Sequence, residues 1–404
     1  MRILQINCVY KKGSTGKIVY DLHTEYQAHG IESFVCYGRG ERIAQENVYK
    51  TASEVVSKAY NVLSRITGIQ YGGNFCGTAN LIKRIKQIKP DVVHLHCING
   101  FFVNIYRLLS WLKKNQIPTV LTLHAEFMHT GNCAHAMSCD QWKNERGCQK
   151  CPQPREATGS WLLDRTHTAW RRMKAAFDGF DNLVVVSVSP WLKDRAQVSA
   201  ILKDKYHTCV FNGIDTQNVF HYRKTEALRK TLDLGQKPIV LYVTAAFDAF
   251  KGANYVLEIA ERMPEVTFLV IGNRGDIGPH PDNVLPLGRV ENQTELARYY
   301  SLADVTLLTS KKETFSMVCA ESLSCGTLIV GFEAGAPETI SIPNYSSFCK
   351  YGDIVQLEKN LRAALENPEY KDKEEISRCA HALYEKTRMF AEYIKIYEGL
   401  LNES

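Results

Sequence analysis

The sequence predicts an α/β protein built from two doubly wound parallel units. Three observations carry this reading. Short apolar strands alternate with helical stretches, the pattern restarts near the middle of the chain, and 404 residues suffice for two full hydrophobic cores. A composition 45% hydrophobic and 23% charged excludes disordered and fibrous classes. No apolar run approaches the ~20 residues that span a bilayer. The opening "MRILQINCVY" reads directly as a strand, with no apolar leader and cleavage site. The expected location is therefore cytoplasmic, with at most a peripheral contact at the inner face of a membrane.

In the first half, "RILQIN" (2–7), "ESFVCYG" (32–38), "DVVHLH" (91–96), "PTVLTLH" (118–124) and "NLVVVS" (182–187) read as buried strands. Helices lie between them, such as "GKIVYDLHTEYQAHG" (16–30), which ends on a glycine C-cap. The second series runs "TCVFN" (208–212), "PIVLYVT" (238–244), "VTFLVIG" (266–272), "NVLPLG" (283–288), "DVTLLTS" (304–310) and "TLIVGF" (327–332). The expected domains are 1–205, carrying a Cys-rich insert at 129–154, then 206–383, then a terminal amphipathic helix over 384–404. The Asn-Gly turn in "VFNGIDTQNVF" (210–220) marks a hinge near the junction.

Open α/β sheets bind ligands beyond the carboxyl ends of their strands, and two such sheets facing each other would form a cleft. The segments to watch are therefore 8–17, 96–101, 124–130, 245–252 and 310–318. In "YKKGSTGKIV" (10–19), Gly13 and Gly16 allow close backbone approach to an anion at a helix start. This is not an NTPase P-loop, because the glycine spacing is too short and Ile18 replaces the Mg²⁺-binding hydroxyl. Lys251, beside Gly252 in the matching place of the second unit, offers a point charge to a phosphate.

"KKETFSMVCAESLSCG" (311–326) sets Glu313 before a short helix over 315–325 and Glu321 inside it. Eight helical steps turn through roughly 800°, leaving the two carboxylates about 80° apart, so they do not share one stripe. Two tasks at one helix start fit better. The N–H groups of Phe315, Ser316 and Met317, backed by the helix dipole, suit a diphosphate. Glu313 suits sugar hydroxyls and Glu321 ribose hydroxyls. A helix with a merely stabilising acidic first turn is the plainer alternative.

Glu313-x7-Glu321 with its "FSMV" core and following "CGT", "NGID" with Phe220, Lys251-Gly252, "DVVHLH" and the terminal helix together resemble the retaining glycosyltransferases of family 4. The likeness covers nearly the whole chain. It implies the GT-B fold, two facing Rossmann-like domains with a C-terminal crossover helix, and transfer of a hexose from a nucleoside-diphosphate sugar to a glycan or lipid-linked glycan in surface polysaccharide biosynthesis. Glu313 would contact the donor sugar, Glu321 the ribose, and Lys251 with the amides of Phe315, Ser316, Met317 and Val318 the diphosphate. His124 would meet the transferred sugar, and Gly16 would lie near phosphates and acceptor. Arg289 and Val290 would line the nucleobase, and the terminal helix would brace the first domain.

No cofactor is required for the chemistry the resemblance implies, in which the leaving-group oxygen takes the acceptor proton on the departing face. No nucleic acid partner is expected. Two departures stand out. Ala246 occupies a position where the family commonly has Arg, so that either Arg289 or Lys17 substitutes or donor binding is weakened, and the run His124-Ala125-Glu126 replaces the frequent His-Asp. An epimerase of the same architecture and a non-catalytic sugar-nucleotide scaffold are the rival readings.

The net charge of +6 is uneven. Residues 1–190 hold 24 Lys and Arg against 14 Asp and Glu, while the rest hold 25 against 29. A basic first half fits an anionic substrate or membrane surface, or ordinary solvation. "NLIKRIKQIKP" (80–90) alternates Leu81, Ile82, Ile85 and Ile88 with Lys83, Arg84, Lys86 and Lys89, which suits either anionic lipid or packing on a sheet. Of the 13 cysteines, Cys133, Cys139, Cys148 and Cys151 cluster as C-x5-C-x8-C-x2-C. That spacing fits a structural tetrathiolate zinc site, with His129 and His135 as spare ligands, or else reduced thiols or a disulfide pair.

Overall fold

The computed structural model describes residues 1–272, 277–367 and 372–402. The chain divides into two compact units, one of residues 1–210 with 389–404, the other of residues 211–388.

The first unit holds a seven-stranded parallel sheet: β1 (Arg2–Asn7), β2 (Glu32–Tyr37), β3 (Val48–Lys50), β4 (Val92–Leu95), β5 (Thr119–Leu123), β6 (Leu183–Ser187) and β7 (Tyr206–Cys209). Their spatial order is β3-β2-β1-β4-β5-β6-β7. The central strands are buried along almost their whole length, so they read as continuous apolar runs. The second unit has six parallel strands: β8 (Ile239–Val243), β9 (Thr267–Ile271), β10 (Val284–Gly288), β11 (Val305–Leu308), β12 (Leu328–Phe332) and β13 (Ser346–Cys349). Their order is β10-β9-β8-β11-β12-β13. In each sheet the winding reverses once, between β1 and β4 and between β8 and β11, and that reversal opens a crevice at the carboxyl ends of the two strands.

One sequence expectation is corrected. "TCVFN" does not begin the second unit, because β7 pairs in parallel with β6 and closes the edge of the first sheet. The segment carries alternating polar residues as well as apolar ones, which suits a half-buried edge. The terminal helix expected over 384–404 is Lys386–Asn402, most of which belongs to the first unit, and a separate helix, Lys373–Tyr384, precedes it in the second. Between them Glu385 is extended and bridges to Ile214. The Ile214 N–H donates to Tyr384 O at 2.8 Å and the Lys386 N–H to Ile214 O at 3.0 Å. Lys386 pairs with Asp215 at 3.0 Å, so the "NGID" turn fixes the break.

Beyond it, Met389, Tyr393, Tyr397 and Leu400 pack with Ile3, Leu22, Tyr26, Val92 and Val120 in one buried cluster. The final helix thus covers a face of the first sheet that is apolar on its own account.

Candidate functional site

The site in the second unit grows from the loops after β8 and β11. After β8 the chain runs to Lys251 and Gly252 before the helix Ala253–Arg262. Gly252 has φ +78, and a Cβ there would lie 2.2 Å from Thr309 O. Only glycine lets the two loops approach so closely. Tyr242 OH (2.8 Å) and Thr309 Oγ1 (3.0 Å) both donate to Lys251 O, and the Lys311 N–H donates to Phe250 O at 2.9 Å. The backbone of Lys251 is therefore fixed while its side chain remains partly exposed. Its Nζ donates to Glu313 Oε1 at 2.7 Å.

Glu313 is held from the other side. Its N–H donates to Ala334 O at 3.0 Å and its carbonyl accepts from the Ala336 N–H at 3.2 Å. The loop after β12 that provides these partners is closed by Glu338, which accepts from the amides of Ala334 (3.1 Å) and Gly335 (2.8 Å). Sequence reasoning missed this support. Its signal was the Gly-Ala-Pro-Glu run after a strand, a turn with an acidic cap.

The helix that follows is Met317–Ser324, two residues shorter at its start than expected. Ser316 is its N-cap, and Ser316 Oγ accepts from the Cys319 N–H at 3.3 Å. Ser316 has φ +86, a left-handed value unusual for a residue with a side chain. Among the described residues, none accepts from the N–H groups of Phe315, Ser316, Met317 or Val318. A helix start with unmatched donors is an anion site in waiting.

Glu321 sits deeper, and Tyr300 OH donates to its Oε2 at 3.0 Å. Burial pushes its carboxyl up to about 7, against the hydrogen bond from Tyr300. Arg289 and Val290 follow β10 at the far edge of the sheet. Arg289 is exposed and faces Glu291 at 3.4 Å. Lys17, in the first unit, pairs with Asp21 one helical turn on.

In the first unit, Gly16 lies within the helix Gly13–Ala28, which starts three residues earlier than expected. A Cβ on Gly16 would stand 3.1 Å from Val9 Cγ2, and its carbonyl accepts from the Lys11 N–H at 3.0 Å. Gly16 thus folds the loop after β1 against its helix. That loop is tied to the one after β4 by Cys8 N–H to Cys97 O, 2.7 Å, and Cys97 N–H to Asn7 Oδ1, 3.0 Å. His124 stands one residue past β5, with Nε2 3.2 Å from His96 Nδ1. Burial lowers its imidazole to about 4.

Glu126 has a clear structural task. It is fully buried, with Arg195 Nε on Oε1, the Ala136 N–H on Oε2 at 2.8 Å, and His129 Nε2 3.5 Å from Oε1. Burial alone would raise its carboxyl, but His129, Arg195 and the Ala136 amide overcome it and hold the group near about 2. This clamp fastens the Cys-rich insert. Among the described residues no group of three or more His, Cys, Asp or Glu that could hold a metal ion is found, although Cys133 and Cys148 lie close enough to Cys139 and Cys151 for the thiols to raise one another. Cys133, Cys139, Cys148 and Cys151 are free thiols, and burial pushes Cys133 and Cys148 up to about 12.

Residues 15–218 match the family model described as Glycosyltransferase Family 4, and residues 224–381 the one described as Glycosyl transferases group 1. A protein of Escherichia coli (strain K12) named for colanic acid biosynthesis, the glycosyl transferase WcaC, is 24% identical over 99% of this chain and all of its own. Among solved structures, the sucrose-phosphate synthase of Thermosynechococcus elongatus superposes with TM-score 0.67 at 16% identity over all of both chains. The Anabaena protein Alr3699/HepE, solved in complex with UDP, gives TM-score 0.67 at 14% identity over 99% of this chain and all of its own. These two likenesses establish the two-unit fold.

Proposed function

The chain belongs to glycosyltransferase family 4 and is a glycosyltransferase, and from that premise we propose that it moves a hexose, with retention, from a nucleoside-diphosphate sugar to a growing surface glycan. The observation that carries this reading is the meeting of Lys251 and Glu313 at the winding reversal of the second sheet, beside the unmatched amides of residues 315–318. The diphosphate draws the Lys251 ammonium away from Glu313 and receives the four N–H groups. Glu313, released, accepts from sugar hydroxyls, and Glu321 accepts from the ribose. As the sugar–phosphate bond breaks, charge gathers on the diphosphate oxygen, and these fixed positive partners stabilise it without reorganisation. That oxygen then takes the acceptor's proton as the new bond forms on the same face. Arg289 and Val290 are assigned to the nucleobase.

The named relative in colanic acid biosynthesis and the basic surface of the first unit support a lipid-linked acceptor. Three adjoining depressions there share Lys83, Gln87 and Arg107 between neighbours and are also lined by Lys50, Arg84, Lys86 and Arg172. Among their described lining residues there is no Asp or Glu. Such a strip draws an anionic headgroup surface in a salt-dependent way. Sedimentation with phosphatidylglycerol vesicles is expected for the wild type and lost in Lys83→Glu/Lys86→Glu; equal sedimentation of both would remove the strip from the account.

Function is tested by incubating the protein with UDP-, GDP- and ADP-hexoses and a lipid-linked acceptor. Release of nucleoside diphosphate together with glycan extension, abolished by Glu313→Ala, is the expected result. Conversion of the donor with no acceptor present would mark an epimerase instead. Donor binding without any turnover would mark a scaffold.

A further inference from the structure

A polar chain crosses the interior of the first sheet at the level of His124. Gln5 on β1 and His96 just past β4 are fully buried, and His124 lies at the strand ends. The His96 N–H donates to Ile6 O at 2.9 Å, which fixes the backbone from which its ring projects. Gln5 Nε2 donates to Val19 O at 3.3 Å, and Gln5 Oε1 lies 3.2 Å from His96 Nε2. His96 Nδ1 lies 3.2 Å from His124 Nε2.

The direction of each proton follows from the one group that cannot change its role. The Val19 carbonyl only accepts, so the Gln5 amide must turn its NH₂ toward it and its oxygen toward His96. That oxygen also only accepts, so the proton of His96 sits on Nε2. In a neutral ring, Nδ1 of His96 is then bare and accepts from His124, whose own proton must sit on Nε2.

The ring of His96 is also held in place. It packs on His94 with centroids 3.9 Å apart. Both nitrogens of His94 are engaged, Nδ1 with Tyr397 OH at 2.6 Å and Nε2 with Thr122 Oγ1 at 2.7 Å. Tyr397 OH further meets Tyr26 OH at 2.8 Å, and Thr122 Oγ1 meets Tyr393 OH at 2.8 Å. Among the described residues, the groups tied to His94 from the first helix, β5 and the last helix are thus Tyr26, Thr122, Tyr393 and Tyr397, none of them a carboxylate. Burial holds all three imidazoles neutral.

We infer that Gln5 and His96 are positioning residues that set the tautomer of His124, so that its Nδ1 is a hydrogen-bond acceptor and His124 binds substrate without exchanging a proton with it. The part concerning substrate rests on the transferase reading above. The part concerning the tautomer does not.

Ligand-free protein with ¹⁵N-labelled histidine separates the two. Long-range ¹H–¹⁵N spectra at pH 7.5, assigned with His96→Asn and His124→Asn, are expected to show both rings protonated at Nε2 only. A His124 ring protonated at Nδ1, or at both nitrogens, would overturn the inference. In Gln5→Glu the new carboxylate draws a second proton onto His96, whose Nδ1–H then faces His124 and forces it into the opposite tautomer. The expected consequence is a fall in kcat of about tenfold at pH 7.5 that recovers as the pH rises and His96 loses its extra proton. Unchanged far-UV circular dichroism shows that the fold persists. Gln5→Leu, which lowers activity with no such recovery, serves as the comparison. A switched tautomer with unaltered turnover would overturn the positioning role, whereas an intact relay in a protein that transfers no sugar would fault the functional reading instead.

Discussion

At the scale of single residues, the second-unit site is a set of groups held ready by others. Lys251 and Glu313 are both partly exposed, so their ion pair contributes little to stability. Lys251→Met is therefore expected to leave the melting temperature nearly unchanged while lowering kcat/KM for the donor about a hundredfold, measured by release of nucleoside diphosphate. Gly252→Ala behaves in the opposite way. A methyl group at φ +78 and 2.2 Å from Thr309 O must push two loops apart. Thermal unfolding should show a loss of about 2 kcal/mol or more, with donor binding lost as well.

Glu321 gives a pH signature. Its carboxyl is raised from 4.5 to about 7 by burial, so the unfolded chain releases the proton first as pH rises. Folding stability from this group is intact below about 4.5, declines through the window up to 7, and is level above it. The loss is on the order of 3 kcal/mol. Glu321→Gln should therefore melt higher than wild type at pH 8 and much like it at pH 4.5. With Glu321 assigned to the ribose as proposed, its hydroxyls would donate to the ionised form, so wild-type donor affinity should rise with pH through about 7, and the variant's should not.

At the scale of elements, the short helix Met317–Ser324 owes its position to its cap and to the loops around it. Ser316→Ala removes the oxygen that satisfies the Cys319 N–H and should cost about 1 kcal/mol in chemical denaturation. The sequence made the strand, the loop, Glu313 and the helix legible, because strand period, a glycine at the end and a carboxylate before the helix are all local. It did not reveal φ +86 at Ser316 or the support from the loop after β12. The latter depends on Ala334 and Ala336, some twenty positions along the chain. Nor did the sequence reveal how the Cys-rich insert is held, because the buried Glu126 that accepts from Ala136 in the insert is paired with an Arg195 nearly seventy positions later.

At the scale of the whole molecule, the chain leaves its first unit and returns to it. Residues 389–402 contribute Met389, Tyr393, Tyr397 and Leu400 to a core otherwise built from the opening strands and helix. Deleting residues from Met389 onward should leave unit one unfolded or aggregated, detected by loss of cooperative melting, because it would expose the apolar surface that Met389, Tyr393, Tyr397 and Leu400 now bury. Tyr397→Phe is milder. It keeps the packing and removes the contacts to Tyr26 OH and His94 Nδ1, costing about 1–3 kcal/mol.

The sequence by itself determined the class of fold, the two series of parallel strands, the family and the residue types of the donor site, since apolar runs and short motifs are properties of neighbouring residues. Which sheet claims the strand at 206–209, what fixes the start of the final helix, how Lys251 meets Glu313 and which nitrogen of His124 carries a proton were decided by tertiary structure. Each depends on partners tens to hundreds of positions apart. Pairing across sheets and the direction of a buried hydrogen-bond chain exist only once those partners are brought together.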